Sequence, residues 1–81
     1  MQMTDIDRIE QMRLRLGDTI ETRQQFPIGR WVEYRRTLLW HGEQIAVWAI
    51  QDRESHLPEW SDPYESASPV ESYGDWRKVD L

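Results

Sequence analysis

The chain has no cysteine, which excludes a disulfide framework, a thiolate zinc site and a cysteine nucleophile. Long apolar runs are also missing. The longest, Ile45-Ala46-Val47-Trp48-Ala49-Ile50, is far shorter than the about 20 residues of a membrane-spanning helix, so it reads as a buried strand and no membrane association is expected. The start, Met1-Gln2-Met3-Thr4-Asp5-Ile6-Asp7, is acidic and not followed by an apolar stretch. It is therefore no secretory signal, and a cytoplasmic setting is expected. The four glycines stand isolated, and no G-x-G or G-x-x-x-x-G-K occurs, which removes the common phosphate cradles.

Tryptophan and arginine are abundant by contrast. Five of the 81 residues are Trp, and Lys78 is the lone lysine among ten basic residues. Trp, Tyr and Arg are the side chains most enriched at binding hot spots. The net charge of -5 is unevenly spread. Residues 1–54 carry nine acids and eight arginines, whereas residues 55–81 carry six acids against Arg77 and Lys78. The sequence thus divides into a region 1–54 with defensible periodicity and an acidic, Pro- and Ser-containing aromatic tail, 55–81. Trp60, Tyr64, Tyr73 and Trp76 in that tail predict that it packs on the body or on a partner.

Thr4 followed by Asp7 forms a capping-box pattern, and Ile6, Ile9, Met12 and Leu16 recur at helical spacing up to Gly17; a helix is expected over 5–16. Residues 18–26 permit a second short helix or a helix continuing through Gly17, but alternation at Ile20, Thr22, Gln24 and Phe26 favours a strand. Phe26-Pro27-Ile28-Gly29 suits a turn. Trp31–Trp40 and Glu43–Gln51 read as a hairpin joined by His41-Gly42. That loop would set Arg35 opposite Trp48, within reach of a cation–π contact, and leave both sheet faces partly apolar. The expected fold is α+β: the N-terminal helix on a two- or three-stranded antiparallel sheet, followed by an extended acidic C-terminal segment. The tail or a symmetric dimer would cover the second face.

Catalysis is not expected. His41 falls in a turn and His56 beside the tail, and neither has a second group to hold and tune it. His41-Gly42-Glu43 and His56-Leu57-Pro58-Glu59 match no zinc spacing, so neither metal nor cofactor is expected. Trp31, Tyr34, Arg35 and Arg36 together suggest a sheet that stacks single-stranded bases. An acidic chain lacks the field that drives phosphate binding, so direct nucleic-acid binding is the alternative and not the main expectation. A small subunit or assembly factor of a larger complex is a further alternative.

The favoured reading is a non-catalytic protein-binding module. It would engage a larger protein or complex, with a basic groove as the natural counterpart, through Trp31, Arg35 and Trp48 or through Glu59, Trp60, Asp62, Tyr64, Asp75 and Trp76. In kind, a tiny, cysteine-free, acidic, Trp-rich chain looks like the phage-encoded inhibitors that block host or defence complexes, some by imitating nucleic acid. That likeness implies an inhibitor of viral origin.

Overall fold

The computed structural model describes residues 4–54, 57–68 and 76–79. One short helix, α1 (Asp5–Met12), precedes five strands: β1 (Thr19–Gln25), β2 (Trp31–His41), β3 (Ala46–Glu54), β4 (Tyr64–Ser68) and β5 (Arg77–Lys78). They form one antiparallel sheet in the order β4-β3-β2-β1-β5. This corrects the expected helix on a two- or three-stranded sheet with an extended tail. Residues 55–81 supply two of the five strands, one at each edge. Tyr-Glu-Ser-Ala-Ser and Arg-Lys have little strand signal of their own, and it is pairing with β3 and β1 that makes them strands.

The helix begins as expected. Thr4 Oγ1 accepts the Asp7 N–H at 3.1 Å, and Asp7 Oδ2 accepts the Thr4 N–H at 3.2 Å. It ends four residues before the expected limit, because Arg13 takes a left-handed conformation (φ 54°, ψ 47°). The Arg13 and Leu14 N–H groups donate to the Glu10 and Ile9 carbonyls at 3.3 and 3.0 Å, the reciprocal pattern that closes a helix C-terminus. That turn brings Leu14 into the core beside Ile9, while Leu16 is exposed. Gly17 (φ 92°) instead shapes the entry to the sheet, its N–H donating to the Leu38 carbonyl at 2.8 Å.

Residues 19–25 are a strand, paired with β2 from Thr19 opposite Thr37 to Gln25 opposite Trp31. Pro27-Ile28-Gly29 connects them. The Phe26 N–H donates to the Arg30 carbonyl at 2.7 Å, and Gly29 (φ 70°) takes the left-handed position that a three-residue hairpin loop requires.

The β2–β3 register differs from the expected one. His41 is still in the strand, the connection is Gly42–Ile45, closed by Gly42 N–H to the Ile45 carbonyl at 2.9 Å, and a bulge intervenes between Leu38 and Trp40. Arg35 therefore lies opposite Gln51, and Trp48 opposite Leu38. The displacement is by an odd number of residues, so Arg35 and Trp48 occupy opposite faces.

The face beneath α1 holds the core: Ile20, Leu38, Ala46, Trp48 and Ile50 with Ile9 and Leu14, and Ile6, Met12 and Trp76 packed against them. Ile20, Leu38 and Trp48 are fully buried, and burial of such a side chain contributes about 1.5–3 kcal/mol. No described helix is long and apolar enough to cross a membrane.

Candidate functional site

The sheet face away from α1 is built from charge. Register sets Arg77, Glu21, Arg35 and Gln51 side by side across β5, β1, β2 and β3, and sets Arg23, Glu33 and Arg53 in the next row. In each row a glutamate stands between two arginines. Glu21 lies 3.2 Å from Arg77 and 3.7 Å from Arg35, and Glu33 accepts from Arg53 at 2.8 Å. Glu33 is buried, so its carboxylate needs these neighbours to offset lost hydration.

Two indoles lie on this layer. The Arg23 guanidinium sits 4.2 Å from the Trp31 ring, and the Trp60 ring lies 4.2 Å from Arg35 and 4.5 Å from Arg53. Trp60 thus lies over the Arg35 and Arg53 part of the second face. Next to it, Ser61 ties the segment to β3. The Ser61 N–H donates to the Asp52 carbonyl at 2.8 Å, Ser61 Oγ accepts the Asp52 N–H at 2.9 Å, and the Ser61 carbonyl accepts from Gln51 Nε2 at 3.1 Å.

With Trp60 and Ser61 turned inward, the residues around them face solvent. Leu57, Glu59, Asp62, Tyr64 and Glu65 are all exposed, Leu57 and Tyr64 at 51% each. No arginine or lysine occurs in residues 57–68. The result is an acidic ridge along the sheet edge on a backbone held at its middle, with Tyr64 on the α1 face of β4 and Glu65 on the opposite face.

The residues singled out from sequence separate accordingly. Trp31 and Arg35 share the charged face with Trp60. Trp48 is 1% exposed beneath the helix. Glu59, Asp62 and Tyr64 lie on the ridge. Trp76 stacks on Arg36, 4.9 Å from ring to guanidinium, on the helix side. Asp75 and His56 lie outside the described residues. The base-stacking set is split as well, since Trp31 and Arg35 are on one face and Tyr34 and Arg36 on the other.

Sequence reasoning missed Asp5. It is 2% exposed, its Oδ2 accepts the Trp48 indole N–H at 3.1 Å, and its Oδ1 lies 3.7 Å from Arg36. Burial raises its pKa, against the opposing effects of Arg36, the Trp48 hydrogen bond and Arg8. Arg53 and Ser61 were also missed. Their roles come from partners seven to twenty residues away, which no local pattern signals.

Other candidate chemistry is sparse. His41 is exposed, with Nδ1 3.2 Å from the Gly42 carbonyl. Among the described residues no group of three or more His, Asp or Glu could hold a metal ion. A hollow of about 290 Å³ at the β1–β2 turn is lined by Phe26, Pro27, Ile28, Val32, Arg30 and Glu54. Its two charged residues pair with each other at 2.9 Å.

The fold and its surface define a small antiparallel sheet with one capping helix, a self-paired Arg/Glu/Trp face and an acidic edge. No known family, curated protein or solved structure matches the chain.

Proposed function

We propose that this protein is a non-catalytic binding module that engages a basic surface of a larger protein through the ridge formed by Glu59, Asp62 and Glu65, with Leu57 and Tyr64 as apolar contacts. The observation that carries the reading is the division of labour within one segment. Trp60 and Ser61 fasten the backbone, and the acids and two apolar side chains on either side of them are left outward. Charges on a held backbone lose little conformational freedom on binding, and a single-sign row accelerates encounter with an opposite surface. A basic groove that normally takes nucleic acid has the required chemistry, so an inhibitor that occupies such a groove is the specific role this surface suits. The arginines of the other face have glutamate or indole partners already, which favours a structural duty for them over phosphate binding.

The test is nuclease-treated capture from the native host's lysate, comparing the wild type with the triple variant Glu59→Gln, Asp62→Asn, Glu65→Gln, both checked for equal melting temperature. The expected result is a protein partner retained by the wild type and lost by the variant. Capture that disappears on nuclease treatment, or that survives in the triple variant and fails in Arg35→Ala, overturns the reading.

A further inference from the structure

The two edges of the sheet are not alike. β5 spans two residues, Arg77 and Lys78, which pair with Glu21 at 3.2 Å and Asp18 at 3.3 Å. A short, charged edge of this kind resists further strand addition. β4 spans five residues with one charge, Glu65, and the strand order ends there. No described residue pairs with its outer side.

Resting on the acidic-ridge reading, we infer that the outer edge of β4 is a docking site for an extended basic peptide segment, which joins the sheet as an antiparallel sixth strand. Main-chain hydrogen bonds would supply the affinity and alternate side chains the specificity. The register specifies those side chains. Glu65 and Ala67 lie beside Ala49 and Val47 on the face opposite α1, so the incoming strand places a lysine or arginine across from Glu65. An aliphatic side chain two positions away meets Ala67, extending the row Trp40, Val47, Ala67. Asp62 and Glu59 precede the strand and supply further negative charge. Charge also favours a basic occupant over a second copy: two chains of net charge -5 would bring their ridges together, like against like.

The probe is the acetylated, amidated heptapeptide Lys-Thr-Val-Thr-Lys-Thr-Val, titrated into isotope-labelled full-length protein at low ionic strength and followed by NMR. Two further peptides accompany it. One has glutamate for both lysines, and the other has alternate backbone nitrogens methylated, so the hydrogen bonds are tested without altering the protein. The expected result is shifts at Tyr64–Ser68 with new solvent protection at the alternate amides that face away from β3, no binding of the glutamate or methylated peptides, and affinity about tenfold weaker in the triple neutral variant, which removes the carboxylates facing the two lysines. Equal binding of the methylated peptide, or shifts centred elsewhere, overturns the strand-addition inference and leaves the ridge reading standing. Failure of the lysine peptide to bind while the triple variant still loses its captured partner does the same. If partner capture and peptide binding are both absent, both readings fall. A dimer in which the outward-facing β4 amides are protected before any peptide is added makes the occupant a second copy and overturns the basic-peptide proposal.

Discussion

Asp5 Oδ2 accepts the indole N–H of Trp48 at 3.1 Å, joining the first turn of α1 to β3, which contributes three residues to the core. Both residues are almost wholly buried, so the bond forms where water cannot replace it. Asp5→Ala strands the indole donor and is expected to cost about 1–3 kcal/mol, read as a lower urea midpoint with an unchanged slope.

The same carboxyl gives a pH signature. Burial raises its folded-state pKa above the ordinary value of 3.8, so the folded protein holds this proton more tightly than the unfolded chain. Its stabilising contribution is complete below pH 3.8 and is lost as pH rises through the raised value. Asp5→Asn keeps an oxygen for Trp48 and cannot ionise. The two proteins are expected to melt at similar temperatures near pH 3, with the variant gaining on the wild type as pH rises. A gap that moves the other way would show that Arg36 and Arg8 outweigh the burial.

Asp18 has the opposite sign. Its Oδ2 accepts the Arg15 N–H at 2.8 Å and lies 3.3 Å from Lys78 Nζ. Chiefly through the Arg15 bond, its pKa is lowered. The stability it confers is present above the ordinary value and lost as pH falls through the lowered one. Asp18→Asn should therefore show a smaller loss of melting temperature than the wild type on acidification below about pH 4. Parallel acid-limb curves would remove Asp18 from the account.

Arg13 holds a left-handed conformation that side chains with a Cβ adopt at a cost. Arg13→Gly relieves it, and a gain of about 0.5–1 kcal/mol is expected after the entropy cost of glycine. Thermal and urea unfolding would measure it. A loss of stability would mean that the Arg13 side chain supports the helix end more than its backbone strains it.

Trp60 is stacked on two guanidinium groups, each contact contributing roughly 0.5–1 kcal/mol at a partly exposed site. Trp60→Ala is expected to cost about 1–2 kcal/mol and Trp60→Phe less, because the ring face is preserved. Loss of the ridge geometry should accompany the alanine change, weakening capture of a basic partner without any change in charge. Unaltered capture by a Trp60→Ala protein that still folds would separate the ridge from its anchor.

The parts of this fold legible in the sequence are those with local causes. Thr4 and Asp7 mark the start of the helix, because a capping box is complete within four residues. Ile20, Thr22 and Gln24 mark β1 by alternation. The helix end was obscured by Gly17, a stronger stop signal than the arginine that performs the role. The β2–β3 register failed for two compounding reasons. His41-Gly42 resembles a tight turn, yet the connection is longer, and the bulge at Leu39 adds a residue that no composition reveals. β4 and β5 were hidden because their strand character comes from their neighbours. Part of the candidate site was accessible: Trp60 as a cover for part of the second face and the acids around it. Its arginine partners depended on the register.

In β5, the last strand of the sheet, Lys78 pairs with Ile20 of the first. A ribosome delivers the chain from its N-terminus, so β1 emerges more than fifty residues before the strand that finishes the sheet beside it. Throughout that interval the outer side of β1 is an edge of the nascent protein. The composition of that strand, Thr-Ile-Glu-Thr-Arg-Gln-Gln, answers the hazard. One apolar residue lies among six polar ones, so the exposed border of an unfinished chain offers little to a neighbouring chain on the same message.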